Sequence, residues 1–485
     1  MMKFINFAVV AIMLAPATVA AQDFDAGLTA YDNGNYATAL QEWRPLAEQG
    51  NAKAQSNLAL MYENGLGVPQ DDAEAVRWYK LAAKQGYAIA QSNLGTMYHN
   101  GQGVPQDYAK SLRWYRRAAV QNYAVAQLNL GFMYDNGLGV PQDDVEAVHW
   151  YRRAAEQGND KAQYNLGAMY ADGLGVPQDD VEAVRWYRMA AEQGHAVAQH
   201  NLGFAYANGQ SVSQDDAEAV RWYRRAAEQG YAKAQYNLGF AHANSQGVPR
   251  DDAEAVRWYK LAAEQGHAKA QYNLGLTYKK GEGVPQDHTE AVRWYKMAAE
   301  QGYADAQLNL GFMYNNGQGV PQDAAEAVRW YRLAAEQGNA KAQYNLGVMY
   351  GNGEGVPQDD GDAAGWFDLA ADQGHPAAQY NLGVMYAEGL GVPQNDAEAV
   401  RRYRIASKQG DADAQNNLGV IYANGHGVPQ NDLIAHMWFS IAVVNGLVDA
   451  AENREIAASS MTADDISKAQ RRARICMESG YQECD

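Results

Sequence analysis

The chain has 485 residues and only two cysteines, Cys476 and Cys484, both within the last ten positions. Cysteine chemistry is therefore confined to one end. The even count favours a disulfide closing a nine-residue loop. No histidine accompanies the pair, which makes a metal site the weaker reading. Positive charge is also short: 39 Lys and Arg stand against 57 Asp and Glu, a net charge of −18. That balance offers no basic stripe for nucleic acid and suits a soluble protein that stays apart from its own copies. Long apolar runs are missing too. The one candidate, Phe4 to Leu14, is too short to span a bilayer. With Lys3 before it and Ala17-Thr18-Val19-Ala20-Ala21 after it, residues 1–21 read as a secretory signal peptide. Cleavage is expected after Ala21, with Ala20 as the alternative. This predicts an exported protein, periplasmic or else secreted, with no stable membrane insertion after cleavage.

Catalytic signatures are equally scarce. The ten histidines (His99, His149, His195, His200, His242, His267, His288, His375, His426 and His436) form no HExxH pattern. There is no GxSxG elbow, phosphate loop or EF-hand loop. The acidic pairs such as Asp71-Asp72 and Asp143-Asp144 are explained by helix capping rather than by calcium. Catalysis needs a unique constellation, and none stands out. No enzyme, cofactor or metal is expected.

What the sequence has is repetition. A Leu-Gly step recurs at Leu94, Leu130, Leu166, Leu202, Leu238, Leu274, Leu310, Leu346, Leu382 and Leu418, always 36 residues apart, with Leu58-Ala59 as the first copy. Residues 51–446 are eleven units of 36 without an insertion. A period of this size means a solenoid in which each unit touches only its neighbours. Each unit reads helix, loop, helix, so the fold class is all-α. The first helix is expected from about Ala52 to Glu63, the loop over Asn64-Gly-Leu-Gly-Val-Pro-Gln70, and the second helix from Asp71 to a terminal glycine, Gly86. Asp71 is expected to cap the amide of residue 74, with Glu74 reaching back. The second helix should bury Ala75, Trp78 or Tyr79, Ala82 and Ala83. Gly95 and its equivalents sit inside a helix, at a cost of about 1 kcal/mol against alanine, so a close approach by a neighbouring helix is expected there.

Residues 22–50 read as a shorter helix pair capping the array, and residues 447–485 as capping helices, the last beginning at Thr462 and carrying Lys468, Arg471, Arg472 and Arg474. Local departures include Asn122 for the terminal glycine, Ser213 for the loop proline and Ser245 for a loop glycine. Gly361, Gly365 and Arg402, the last in the Trp position, predict softer joints.

The step Leu94-Gly-Thr-Met-Tyr98, the loop Gly101 to Asp107 and the later A-x3-Y resemble the Sel-one-like repeat (SLR), a 36-residue relative of the tetratricopeptide repeat. The resemblance covers all eleven units. It implies a right-handed α-superhelix serving as a scaffold for protein–protein contacts. Bacterial members are often exported and linked to envelope homeostasis, sensor-kinase control or host interaction. A cysteine-rich branch is described as binding or cleaving β-lactams; residues 51–446 contain no cysteine, so none of its functional residues carries over.

By the same resemblance, the first helices line a concave groove through positions matching Lys53, Ser56, Leu60, Glu63 and Asn64. The Ser56 row becomes Leu128, Tyr164, His200, Tyr236, Tyr272, Leu308, Tyr344 and Tyr380. The Leu60 row includes Phe132, Phe204, Phe240 and Phe312. Lys161, Lys233, Lys269 and Lys341 give a lysine edge, and Asn136, Asn208, Asn244 and Asn316 an asparagine edge. This aromatic stripe is the candidate site for a protein or peptide partner. The competing reading is packing between adjacent repeats. The Trp row (Trp78, Trp150, Trp186 and equivalents) and the Asn57 row read as structural. Function is expected to be that of an exported scaffold or adaptor in envelope regulation or assembly. A secreted host-interaction factor and a cell-wall enzyme or inhibitor are the alternatives.

Overall fold

A computed structural model describes residues 22–484; the expected signal peptide and its cleavage site lie outside them. The described residues form 26 α-helices and no strand. Their contacts divide the chain into two compact halves. One takes residues up to Ala234 together with Gln246–Pro249, the other Gln235–Ser245 and everything from Arg250.

One repeat of the N-terminal half shows how the sequence builds the pair. The leading helix, Ala52–Asn64, starts where the Asn51 side chain accepts the Ala54 amide at 3.0 Å. It ends at Gly65, whose φ of 67° is left-handed. The loop closes when the Asp71 amide donates to the Tyr62 carbonyl at 2.9 Å. Asp71 then accepts the Glu74 amide at 2.9 Å and opens the trailing helix, Asp72–Lys84. Glu74 does not reach back as expected. Its carboxylate takes the Arg77 guanidinium at 2.6 Å and the Trp78 indole N–H at 2.9 Å. An arginine one turn on is a stronger partner than a lone amide, so the cap is one-sided. Trp78 and Tyr79 are both buried, at 6% and 0% exposure.

The glycine inside the leading helix answers to a ring rather than to a helix backbone. A Cβ on Gly95 would stand 2.7 Å from the ring of Tyr115, in the trailing helix Tyr108–Ala119 of the same repeat. Gly131 faces Tyr151 in the same way. In the C-terminal half, Gly275 faces Tyr295 and Gly347 faces Phe367. The second loop glycine has another task. A Cβ on Gly103 would overlap the backbone carbonyl of Asp72, in the preceding repeat. Ser211 holds this position in its own repeat with φ of 55°, and Ser245 takes the first loop position with φ of 58°. Asn122 likewise adopts φ of 66° where other repeats have glycine. The fold imposes left-handed backbone even where the sequence departs from glycine.

Repeats are joined by a ladder of side-chain amides that the Leu-Gly and loop motifs do not reveal. Gln55 is buried in its leading helix and donates to the Ala47 carbonyl of the preceding helix, Tyr36–Glu48, at 2.9 Å. Its own carbonyl accepts from Gln85, at the end of its repeat's trailing helix, at 2.8 Å. Gln91 repeats both bonds with Ala83 and Gln121. In the C-terminal half, Gln271 does so with Ala263 and Gln301. Across the joints of the N-terminal half, the Asn93 amide also reaches the Tyr79 hydroxyl at 3.2 Å, and Arg188 reaches the Tyr206 hydroxyl at 2.9 Å. The Asn57 row is thus structural, as its spacing suggested.

Two departures keep the pattern by other means. Asp360–Asp372 retains its 13 residues despite Gly361 and Gly365. Arg402, expected to soften its joint, is 6% exposed in the Trp position. It bonds Asp368 at 2.8 Å and Glu398 at 2.8 Å, with Asp372 at 3.6 Å. At the C-terminus, the trailing helix Asp432–Val444 turns apolar on its outer side. Met437 and Ile441 are buried where other repeats carry Arg77-like and Leu81-like residues. The final helix, Ala463–Glu478, covers that side with Ala469, Ala473 and Cys476. Cys476 and Cys484 are disulfide-bonded.

Three substitutions test the backbone and the ladder. Ser211→Gly and Ser245→Gly should each raise stability by about 0.5–1.5 kcal/mol, seen as a higher urea midpoint, since each relieves a left-handed serine. Gln163→Leu should destabilise by roughly 1–3 kcal/mol, because it removes both bonds of the ladder at that joint, the one to the Ala155 carbonyl and the one from the Gln193 amide. Urea melts followed by circular dichroism check both.

Candidate partner-binding surface

The predicted stripe separates into two rows of different character. The phenylalanines are on the surface. In the N-terminal half Phe132 is 43% and Phe204 46% exposed; in the C-terminal half Phe240 is 38% and Phe312 39% exposed. Each sits one turn before its leading helix ends, on the side away from the buried Leu and Gly of the same helix. Lys161, Lys233, Lys269 and Lys341 are exposed in the first turns of their leading helices. Exposed phenylalanine gives apolar contact area, and exposed lysine on the same set of leading helices adds positive charge.

The tyrosines lie deeper and face the joints. Tyr164 is half-buried, 5.9 Å from the ring of Tyr187 in its own repeat and stacked at 4.8 Å on His195, which opens the next. In the C-terminal half Tyr236 stacks on His267 at 4.9 Å, and Tyr344 on His375 at 4.6 Å. Tyr272 packs against Tyr295 and Tyr303, and Tyr380 against Tyr403. Burial raises the hydroxyl pKa of Tyr164, Tyr236, Tyr272 and Tyr380. For Tyr187 and Tyr403, deeper in the trailing helices, burial pushes it up to about 12. The tyrosine row thus packs between neighbouring repeats while showing only an edge to solvent.

The asparagine edge is exposed, but its amides are engaged. Asn136, Asn208, Asn244 and Asn316 each donate to the carbonyl four residues back, that of Phe132, Phe204, Phe240 and Phe312, at 2.8–2.9 Å. They close the ends of their own helices and leave the side-chain carbonyl and one N–H for other partners.

Clefts open beside the phenylalanines. In the N-terminal half, Phe132, Thr96, His99, Tyr115 and Asn129 line one of about 320 Å³. In the C-terminal half, Phe240, Asn244, Tyr259, Asn273 and Leu276 line another of about 310 Å³, with Arg250, Asp252, Lys280 and Glu282 around it. These charges are matched: Arg250 pairs with Asp252 at 2.8 Å and Lys280 with Glu282 at 3.7 Å. Lys279 lies with its ammonium 4.6 Å from the centre of the Phe312 ring and 3.4 Å from Asn309. Burial lowers its pKa.

Among the described residues, no group of three or more His, Cys, Asp or Glu side chains could hold a metal ion, and no helix is long and apolar enough to cross a membrane. Sequence reasoning missed the glutamine ladder and the capping histidines. Both were visible as residues fixed at one offset, Gln55 and Gln85 with their equivalents, and His195, His267 and His375 at the position of Asn51.

Helix pairs of one length, each bonded to the next by the same side chains, define an α-solenoid of the tetratricopeptide type. The chain belongs to the Sel1 repeat family, whose model matches eleven consecutive copies from residues 52–87 to 412–443. It is similar to the crystal structure of a protective antigen present in uropathogenic Escherichia coli strains displaying an SLR fold. The two are 38% identical over 91% of this chain and 96% of that one, with a TM-score of 0.84. A Sel1 repeat protein from Oxalobacter formigenes is 36% identical over 70% of this chain and 98% of that one, with a TM-score of 0.49. No curated protein matches the chain. Sel1 repeat proteins mediate protein interactions, and this chain shares their architecture.

The two aromatic rows predict opposite costs. Tyr164→Ala or Tyr344→Ala should lower stability by about 1–3 kcal/mol, through lost joint packing. Phe204→Ser or Phe312→Ser should change it by less than about 0.5 kcal/mol. Urea melts of the four single variants compare the rows directly.

Proposed function

We propose that the protein is an exported scaffold that holds an extended segment of a partner protein along the exposed face of its leading helices. Its setting is envelope regulation or assembly, in the periplasm. The observation that carries this reading is the phenylalanine row: four large apolar rings kept in solvent at one repeat position, two of them, Phe132 and Phe240, lining a cleft. Nothing in the packing requires phenylalanine there, since Ala168 and Val348 hold the same position in other repeats. Residues that no neighbour constrains are available for contact, and aromatic rings supply much of the energy of protein interfaces. Lys161, Lys233, Lys269 and Lys341 suit a partner segment with acidic residues beside its apolar ones. The outward carbonyls of Asn136, Asn208, Asn244 and Asn316 can accept from its backbone amides.

Export is supported by the sequence of residues 1–21, by the Cys476–Cys484 disulfide, which forms in oxidising compartments, and by the likeness to a protective antigen. That same likeness favours a second reading. A 38% identical protein over 91% of this chain is a protective antigen of a pathogen, which suits a secreted, host-facing factor.

The test is capture by the mature chain from Gln22, beside the variant Phe132→Ser, Phe204→Ser, Phe240→Ser, Phe312→Ser with unchanged helicity. A protein crosslinked from periplasm by the wild type should bind the variant at least tenfold more weakly, a loss in the range of a single aromatic hot spot. Equal binding by both removes the phenylalanine row as the site. Recovery of the protein in culture fluid rather than periplasm supports the host-facing reading instead.

A further inference from the structure

The leading helices share one fold but differ in what caps them. Asn51, Asn159, Asn339 and Asp411 each accept the amide three residues on with a side-chain oxygen. Tyr87, Tyr123 and Tyr303 make no side-chain cap bond. His195 and His375 cap with a ring nitrogen. Nδ1 of His195 accepts the Ala198 amide at 3.2 Å, and Nδ1 of His375 accepts the Ala378 amide at 3.3 Å. An imidazole can accept at Nδ1 only while it is neutral and carries its proton on Nε2. Protonation turns that acceptor into a donor facing a donor. It also places a positive charge at the positive end of a helix dipole.

We propose that His195 and His375 make their two joints acid-labile. The cap and first turn of the following leading helix loosen as the pH falls below neutral, while the joints capped by asparagine hold. The N-terminal half contains the first of these joints and the C-terminal half the second, together with a third histidine cap of the same geometry, Nδ1 of His267 accepting the Ala270 amide at 3.2 Å. The groups around each ring set the direction. His195 lies on Tyr164, with Asp160 and Lys161 of the preceding leading helix nearby; Asp160 favours the charged ring and Lys161 opposes it. His375 lies on Tyr344 and faces Lys341, which opposes its charge. Burial is the largest influence on both and holds each pKa below the ordinary 6.5. A base whose folded pKa is depressed binds fewer protons folded than unfolded. Its contribution is therefore fully present above about 6.5 and is lost as the pH falls toward the folded value. The ring stack on tyrosine can persist with a charged imidazole; the cap bond cannot.

Hydrogen exchange of the full mature chain, read by mass spectrometry at pH 7.5 and 5.5 and corrected for intrinsic exchange rates, tests this. Protection over residues 196–199 and 377–379 should fall roughly fivefold at the lower pH, about the worth of one cap. Residues 160–163 and 340–343, capped by Asn159 and Asn339, should hold. In the variant His195→Asn, His375→Asn, which installs the cap native to other repeats, the acid loss should disappear. The proposal is overturned if the histidine-capped segments track the asparagine-capped ones at both pH values. It is equally overturned if the loss persists in the variant. The wild-type comparison stands by itself if the variant does not fold.

Discussion

Within each half of the chain, repeats are tied to the ones before them by a buried primary amide, and the strict spacing follows from that bond. The Gln55 side chain sits where water cannot reach it, donates to the last turn of the preceding helix and accepts from Gln85 at the end of its own repeat. A buried amide without partners costs roughly 1–3 kcal/mol. Adding one residue to a loop would therefore misplace both partners. The same glutamine is buried at every 36th position from Gln55 to Gln415, and no repeat carries an insertion. Where the C-cap partner changes, the ladder adapts rather than breaks. Asn445 replaces the terminal glutamine at Gln415, and Arg402 reaches the Gln379 carbonyl at 3.4 Å. A one-dimensional array has no long-range contacts to compensate for a poor joint, so each joint carries its own polar lock.

Within a repeat, the lock works together with a size match. From the second repeat on, the ring of the trailing helix lies against a glycine of the leading helix, and a Cβ added there would stand 2.6–2.8 Å from the ring; the first repeat accommodates Ala59 in its place. The helix gives up about 1 kcal/mol of propensity and in return brings a large aromatic face against its backbone. Phe367 and Phe439 do the same as tyrosine at this position, so the fit is to the ring. The hydroxyl has a separate use: Tyr79 reaches Glu63 at 2.7 Å and Tyr151 reaches Asp135 at 3.1 Å.

Periodicity made the helices legible. The expected leading helix to Glu63 extends one residue further, to Asn64, and the cap at Asp71 stands where it was expected. The reach of Glu74 was not legible, because Arg77 and Trp78 compete for the same carboxylate and only geometry decides among them. The expected stripe was one feature in sequence, and its rows differ by a single turn of helix. Position 56 points toward the next repeat's cap, so Tyr164 meets His195; position 60 points out, so Phe204 meets solvent. A pattern of spacing alone cannot tell these directions apart at the margin of a helix face. The covering of Met437 and Ile441 by the final helix was present in the sequence, since Arg and Leu give way to apolar residues at those positions. Its meaning needed the partner helix in view.

The division between locked and free positions bears on function. Glutamine, glycine, the trailing-helix aromatics and the capping aspartates answer to neighbours, and a change at one of them alters a joint. The phenylalanine position tolerates other residues: Thr96, Ala168, Leu276 and Val384 occupy it elsewhere with the helix pair unchanged. Four exposed phenylalanines stand on a protein of net charge −18 at a position other repeats fill with smaller residues. A role in contact explains them where stability does not. Repetition thus lets the array vary its surface one repeat at a time, since the bonds that hold each pair to the next do not pass through the residues that vary.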